Sequence, residues 1–93
     1  MKVQTISVVI PYHGRINFFK STLDCLNNQT DKDFELIISD DSNDKKSVNG
    51  LKSLVKKYPD LNINVIRTKA NLGAVANTLQ GINHSHNKFV HIL

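Results

Sequence analysis

The sequence lacks several features that mark particular classes of protein. Its single cysteine, Cys25, permits neither an internal disulfide nor a cysteine-based zinc site. It contains no tryptophan, and it has no dense basic stripe with interleaved aromatic residues of the kind that binds nucleic acids. No apolar run approaches the ~20 residues of a transmembrane helix. The apolar run at residues 6–10 is too short for the core of a signal peptide, so we expect a cytoplasmic chain.

The composition that remains is that of one small globular domain. The chain has 93 residues, of which 40% are apolar and 22% charged. Twelve Lys and Arg residues against eight Asp and Glu residues give a net charge of +4. This mild excess suits a phosphate-bearing ligand or an anionic membrane surface, and it is also common on ordinary solvated faces. Cys25 falls among the apolar positions of a predicted helix, so we expect a buried thiol rather than a nucleophile.

Hydrophobic periodicity predicts that strands and helices alternate along the chain. The predicted strands are at residues 6–10, 34–39, 61–67 and 88–93, and the predicted helices are at residues 16–28, 44–58 and 73–84. Pro11 is expected to end the first strand, because proline has no N–H for the ladder. Asn17 is a candidate N-cap for the first helix, and Pro59 stops the second. This alternation implies right-handed crossovers and a parallel α/β sheet with helices on both faces.

An acidic stretch after the second strand is the clearest candidate site. The apolar residues 36–38 lead directly into Asp40 and Asp41, and turn-forming residues follow. In open α/β sheets, ligands bind at the carboxyl ends of the strands, which is where both carboxylates are expected. The alternative is that Asp40, Asp41 and Ser42 only cap the second helix.

Three segments resemble motifs of family 2 glycosyltransferases, which have the A-type glycosyltransferase fold. Residues 7–15, SVVIPYHGR, look like the family's Val-Ile-Pro-x-Tyr-Asn-Arg strand. Residues 29–30, QT, and 33–44, DFELIISDDSND, look like Gln-Thr…Glu-Ile-Ile-Val-Asp-Asp-Gly-Ser-x-Asp. Residues 71–73, NLG, and 81–82, GI, look like Asn-x-Gly…Gly-Ile. Order and spacing fit in all three, and the set spans nearly the whole chain.

The resemblance implies a Rossmann-like sheet of about four strands in the order 3-2-1-4, forming a truncated A-type glycosyltransferase domain over residues 1–93. The chain stops within an apolar strand, so we interpret it as the N-terminal part of a longer protein. In this order the fourth strand is an edge. Because an apolar edge is a template for pairing with another chain, we expect self-association through it.

The same resemblance implies that the acidic stretch and the first strand hold a nucleotide. Asp41 is expected to accept a hydrogen bond from the base N–H, and Asp40 to support the loop or contact the ribose. The backbone around Pro11 is expected to border the base, with Tyr12 or His13 as a wall of the pocket. A plain loop position remains an equal alternative for His13.

Three further positions complete the implied nucleotide site. Arg15 either reaches a phosphate or pairs with a nearby aspartate. Asn71 and Gly73 follow the third strand and lie at the same edge, although Asn71 is equally suited to capping a helix. The predicted nucleotide-binding set is therefore Pro11, Tyr12, His13, Arg15, Asp40, Asp41, Asn71 and Gly73.

The sequence departs from the family pattern in three places. The usual Tyr-Asn falls on His13 and Gly14, and the usual Ala-Arg-Asn falls on residues 77–79, which leaves no arginine there to meet the diphosphate. The Asp-x-Asp motif that holds Mn²⁺ or Mg²⁺ in the family is expected just after Leu93 and is absent from this chain. We therefore expect neither metal ligands nor the catalytic base within these residues, and no activity from the chain alone.

The implied activity is hexosyl transfer, with inversion, from a nucleotide-diphosphate sugar of the UDP type to a saccharide or lipid-linked acceptor. Such enzymes act in the synthesis of cell-surface polysaccharide or glycolipid. The lysines around the second helix suggest weak attraction to the inner face of an anionic membrane, or simply a solvated face. The alternative is a non-catalytic α/β module that binds a nucleotide or a protein partner. The codons beyond Leu93 would distinguish the two, because an Asp-x-Asp there indicates the enzyme.

Overall fold

The computed structural model describes residues 6–14, 16–30, 32–42, 44–67, 73–84 and 89–92. Strands and helices alternate in them as the periodicity predicts. They are β1 (Ile6–Tyr12), α1 (Ile16–Asn27), β2 (Phe34–Asp40), α2 (Lys45–Val55), β3 (Asn62–Arg67), α3 (Ala74–Asn83) and β4 (Phe89–Ile92). The strands form a parallel sheet in the order β3-β2-β1-β4, which confirms the predicted α/β fold and strand order.

The two faces of the sheet are covered by different helices, because alternate side chains of each strand point to opposite faces. On one face, the central strands contribute Val8, Ile10, Leu36 and Ile38 to a core that also contains buried residues of α1 and α2. On the other face, α3 packs so closely that Gly81 lies against Val9 of β1. Helices therefore cover both faces, as predicted.

The prediction that Pro11 ends the first strand was wrong. Pro11 lies within β1, opposite Ser39 of β2, and the strand continues to Tyr12. The register pairs β4 with β1 only from Ile6 to Val9. In the described part of the sheet, no strand therefore lies beyond Val9 on the β4 side, and the missing N–H of Pro11 costs no ladder hydrogen bond.

Two predictions for α1 were also wrong. Asn17 lies inside the helix, which begins at Ile16, so it is not the N-cap. Cys25 is exposed. The buried residues of α1 are Phe19 and Leu23, which lie one turn apart, and Cys25 is two residues beyond Leu23, roughly 200° around the helix. Its thiol therefore points away from the core.

Tyr58 joins the segment after α2 to α1. Its side chain is buried, and its hydroxyl donates a hydrogen bond of 2.5 Å to Asp24 Oδ1, while Lys20 Nζ contacts Asp24 Oδ2 at 3.0 Å. The hydrogen bond to the carboxylate raises the pKa of Tyr58 to about 12, and burial adds to the effect. The same hydrogen bond, together with that from Lys20, lowers the pKa of Asp24.

The hydrogen bond between Tyr58 and Asp24 predicts that the protein becomes less stable at alkaline pH. The pKa of Tyr58 is higher in the folded state than in the unfolded state. The stability that its hydrogen bond to Asp24 contributes is therefore complete below pH 10 and is lost as the pH rises toward about 12. We expect the free energy of unfolding of the wild type to fall more steeply over this range than that of Tyr58→Phe. Urea denaturation at a series of pH values measures both. Parallel pH curves for the two proteins would contradict the prediction.

Candidate functional site

The candidate site lies at the carboxyl ends of the two central strands. Tyr12 and Asp40 are the last paired residues of β1 and β2. The Asp41 N–H donates to the Tyr12 carbonyl at 3.2 Å, so the ladder extends one residue beyond β2. This hydrogen bond fixes the backbone of Asp41 between the two strands, at the edge where ligands bind in open α/β sheets.

Asp41 and His13 form the central contact of this edge. His13 Nδ1 lies 2.7 Å from Asp41 Oδ1. An ionised carboxylate can only accept hydrogen bonds, so the imidazole N–H is the donor. The Asp41 side chain is 3% exposed, whereas the His13 side chain is 60% exposed. A nearly buried carboxylate is thus held by a mostly exposed ring, and no other hydrogen bond to this carboxylate is found among the described residues.

Gly14 shapes the turn that carries His13. Its φ of 85° lies in the left-handed region, which glycine adopts without strain. A Cβ at this position would lie 3.0 Å from Ser47 Oγ, at the start of α2. Glycine at the position where the family resemblance expects asparagine therefore allows the turn to pass close to α2 while His13 reaches Asp41.

Asp40 stabilises the turn that follows β2. It is 1% exposed, and its Oδ1 accepts hydrogen bonds from the backbone N–H of Ser42 at 2.8 Å and the Ser42 hydroxyl at 2.5 Å. Its Oδ2 has no hydrogen bond within the described ranges, but it lies 3.5 Å from Arg67 Nε at the end of β3. The carboxylate is thus enclosed between the turn and the neighbouring strand.

The helix-capping alternative for Asp40, Asp41 and Ser42 was wrong. The N-cap of α2 is Asp44, whose side chain accepts from the Ser47 N–H at 2.9 Å. This backbone hydrogen bond is the main cause of the lowered pKa of Asp44. Since Asp44 caps the helix, the two preceding aspartates are not needed for capping.

Tyr12 and Pro11 occupy different environments at the end of β1. Tyr12 is 2% exposed, packs edge-to-face on Phe19 with ring centroids 5.0 Å apart, and its hydroxyl donates to the Ser47 carbonyl at 3.4 Å. Burial is the main reason that the pKa of Tyr12 is raised, with smaller contributions from the Asp40 and Asp44 charges. Tyr12 is therefore a core residue. Together with Pro11 and His13, Tyr12 also lines an open cavity of about 450 Å³ beside α1, next to Phe18.

The remaining predicted site residues are only partly described. Gly73 is the N-cap of α3, with a φ of 84°, and its carbonyl accepts from the Asn77 N–H at 3.0 Å. It follows β3 and so lies toward the same edge as Asp41. Arg15 and Asn71 lie outside the described residues.

Sequence reasoning missed a buried polar cluster behind the site. Asn77 of α3 is 1% exposed; its amide donates to the Ser39 carbonyl at 2.8 Å, and its oxygen accepts from the Ser39 hydroxyl at 2.5 Å. Gln80 Nε2 donates to Ser39 Oγ at 3.0 Å. These contacts hold the end of β2 at Ser39, just before Asp40. The available signal was Asn77 itself, a polar residue where the resemblance expects alanine.

The described ranges contain no group of three or more His, Cys, Asp or Glu side chains that could hold a metal ion. Nor does any helix in these ranges have the length and apolar character needed to cross a membrane.

At the ends of the two central strands, the contacts of Asp41 with Tyr12 and His13 hold its carboxylate in place as a hydrogen-bond acceptor.

The chain is similar to known proteins over almost all of its length. The family model described as glycosyl transferase family 2 matches residues 7–93. The amylovoran biosynthesis glycosyltransferase AmsB of Erwinia amylovora is 34% identical over 91 residues, which are 97% of this chain and 30% of that protein. The uncharacterized glycosyltransferase MJ1057 of Methanocaldococcus jannaschii is 32% identical over 92 residues, 95% of this chain and 30% of that protein.

A solved structure shows the same fold. The mannosyltransferase PcManGT from Pyrobaculum calidifontis, in complex with GDP-Man and Mn²⁺, superposes with a TM-score of 0.79 at 13% sequence identity. The match covers 95% of this chain and 26% of that one, so the chain spans less than a third of the length of these relatives. With the family model matched from the first strand to Leu93 and the predicted sheet order confirmed, the chain belongs to glycosyl transferase family 2.

Proposed function

We propose that this chain is the nucleotide-binding, N-terminal portion of a glycosyltransferase domain. The full enzyme would transfer a hexosyl group, with inversion, from a UDP-type sugar to the hydroxyl of a saccharide or lipid-linked acceptor. Cell-surface polysaccharide or glycolipid synthesis is the proposed setting, and the name of the amylovoran relative agrees with it. The observation that carries the proposal is the Asp41 carboxylate, held by His13 at the carboxyl edge of the two central strands.

Asp41 suits the base of the nucleotide because a base needs a fixed hydrogen-bond acceptor for its ring N–H. The ladder bond to Tyr12 fixes the Asp41 backbone, and the contact with His13 fixes its carboxylate. Asp40 would act indirectly, by holding the turn through Ser42. Preorganising the acceptor in this way removes part of the ordering cost of binding.

The other proposed contacts surround this acceptor. The exposed side of Pro11 would border the base, and Gly73 with Asn71 would lie on the β3 side of the edge. Arg15 would meet a phosphate. Tyr12, which is buried but lines the cavity beside Pro11 and His13, would form a wall of the pocket.

A divalent cation, Mn²⁺ or Mg²⁺, is proposed for the full-length enzyme. Bound there, it would act as a Lewis acid on the diphosphate leaving group. Asp40 is engaged by Ser42 and Arg67, and the described residues form no cluster of three ligands. The metal ligands and the catalytic base are proposed to follow Leu93, where the family resemblance expects the Asp-x-Asp motif.

Two surfaces bear on partners and location. We propose a cytoplasmic protein whose basic face can approach the inner surface of an anionic membrane. This face consists of the exposed lysines of α2 and of the residues after it, which are Lys45, Lys46, Lys52, Lys56 and Lys57.

On β4, Val90 and Ile92 are 37% and 50% exposed. Self-association through this strand remains a prediction.

The proposal predicts nucleotide binding without turnover by these 93 residues. Calorimetric titration with UDP should give saturable binding, because the base acceptor is present. An assay for transfer or hydrolysis of a UDP-sugar, with and without Mn²⁺, should give no activity above the buffer rate. Absence of UDP binding by the folded protein would contradict the nucleotide site, whereas metal-dependent turnover would contradict the assignment of the catalytic groups to later residues.

A further inference from the structure

A groove of about 360 Å³ lies between α2 and β3, the strand at one edge of the sheet. One wall is formed by Val48, Leu51 and Val55, which are three and four residues apart and therefore lie on one side of the helix. Val65 of β3 forms the opposite wall. The three valines are only half-buried, so the walls are open to solvent. The protein therefore has an apolar groove along the outer side of α2.

The dimensions of this groove match a single aliphatic chain. Its volume falls in the range of about 300–1,000 Å³ that is typical of small-ligand sites. At roughly 30 Å³ for a water-sized group, the groove holds about twelve methylene groups. From Val48 to Val55 it extends about 10 Å along α2, at ~1.5 Å per residue. A partner helix, about 10–12 Å across with its side chains, needs a wider surface than this.

Two lysines place positive charge beside the apolar walls. Lys52 and Lys56 both line the groove and are exposed, and they lie one helical turn apart, with roughly 5–6 Å between Cβ atoms. Within the described residues, neither lysine forms an ion pair. Arg67 also lines the groove, but its Nε lies 3.5 Å from Asp40 Oδ2, so its charge is opposed by a carboxylate. The charge left at the groove favours a ligand with an anionic group next to its apolar part.

We infer that this α2–β3 groove binds one acyl chain of an anionic membrane phospholipid, with the lipid phosphate between Lys52 and Lys56. The apolar walls select the chain, and the two ammonium groups select the head group. The inference rests on the approach to an anionic membrane proposed above and deepens it, and it is independent of the nucleotide site. Attraction to the membrane surface alone needs only the lysines, whereas the groove also gives the chain an apolar contact.

The first test uses decyl phosphate as a soluble probe, below the concentration at which it forms micelles. We expect saturable binding, with changes in the amide chemical shifts of isotope-labelled protein concentrated in α2 and β3. Butyl phosphate has the same head group on a short chain and should bind about tenfold or more weakly. Decyl maltoside has the same chain without the charge and should bind about fivefold or more weakly. Failure of decyl phosphate to bind, or equal binding of all three probes, would overturn the inference.

Substitutions on α2 and β3 separate the groove from the general charge of the helix. Replacing both groove lysines (Lys52→Gln with Lys56→Gln) should weaken decyl phosphate about fivefold or more. The matched control is Lys45→Gln with Lys46→Gln, which makes the same charge change on the same helix outside the groove and should bind nearly as the wild type does. Val65→Thr keeps the shape and every charge, adds a hydroxyl to the apolar wall, and should weaken binding about threefold or more. Circular dichroism with thermal unfolding checks that each variant is folded.

Vesicles test the source of the ligand. We expect the wild type to co-sediment with vesicles of phosphatidylglycerol and phosphatidylcholine in equal parts, and not with phosphatidylcholine alone. The variant without the groove lysines should lose more of this binding than the control pair does. Equal losses would leave the attraction to an anionic surface standing and overturn only the groove.

The remaining outcomes also decide the inference. If the wild type binds neither kind of vesicle, the proposed approach to a membrane fails, and the lipid source fails with it. If decyl phosphate does not bind and sedimentation shows a dimer that the groove-lysine variant abolishes, a second copy of the chain covers the groove and the inference is overturned.

Discussion

Replacing Asp41 with asparagine is expected to weaken UDP binding by roughly 10- to 100-fold. The Asn oxygen can still accept from His13, which already engages Oδ1. The amide NH₂ then takes the place of Oδ2 and presents a donor to the N–H of the base. A charge-assisted hydrogen bond is replaced by two donors facing each other, at a cost of about 1.5–3 kcal/mol.

The substitution separates binding from folding because it nearly preserves the shape of the side chain. The ladder hydrogen bond from the Asp41 N–H to Tyr12 is a backbone contact and is unaffected. Asp60→Asn makes the same chemical change at an exposed turn after α2 and should bind UDP normally. Isothermal titration calorimetry measures all three proteins. Wild-type affinity in a folded Asp41→Asn variant would show that the base is held elsewhere.

Gly81→Ala is expected to destabilise the protein by about 2 kcal/mol, although alanine is the better helix former. A Cβ at position 81 would overlap Cγ1 of Val9, which is fully buried in the central strand. Valine is short and β-branched, so it cannot rotate away as a long side chain could. The strain must be relieved by moving α3 away from the sheet, which would also disturb the contacts between Asn77 and Ser39.

Gly50→Ala provides the matched control, because the same change is made in a helix with space around it. Gly50 lies in α2, and the nearest atom to an added Cβ is Ile16 Cδ1 at 3.8 Å, an ordinary contact. We expect this variant to gain about 0.5–1 kcal/mol from the lower backbone entropy of alanine. Urea denaturation measures both proteins. A Gly81→Ala variant as stable as Gly50→Ala would mean that α3 does not pack closely on β1.

The order of elements could be read from the sequence because it depends on local periodicity. Apolar runs such as residues 36–38 and the helical spacing of Phe19 and Leu23 are set by neighbours in the chain. The alternation of strands and helices along the chain predicts a parallel sheet. The position of Asp41 followed from the same logic, since a residue just after a central strand lies at the carboxyl edge of the sheet.

Errors occurred where a residue's environment depended on distant parts of the chain. Pro11 remains in β1 because this strand pairs with β2 as far as Tyr12, which the local sequence around Pro11 does not reveal. Cys25 is exposed because α1 buries the side of the helix that carries Phe19 and Leu23, which lies opposite Cys25.

The sequence by itself determined the fold class, the family resemblance and the place of the acidic residues at the carboxyl edge of the sheet. Only the tertiary structure decided which groups each carboxylate contacts. Asp40 turns inward to Ser42 and Arg67, while Asp41, 28 residues from His13 in the chain, is held by that imidazole. The physical reason is that periodicity fixes the direction in which a side chain leaves its strand, whereas its hydrogen-bond partners are set by the pairing of strands far apart in sequence.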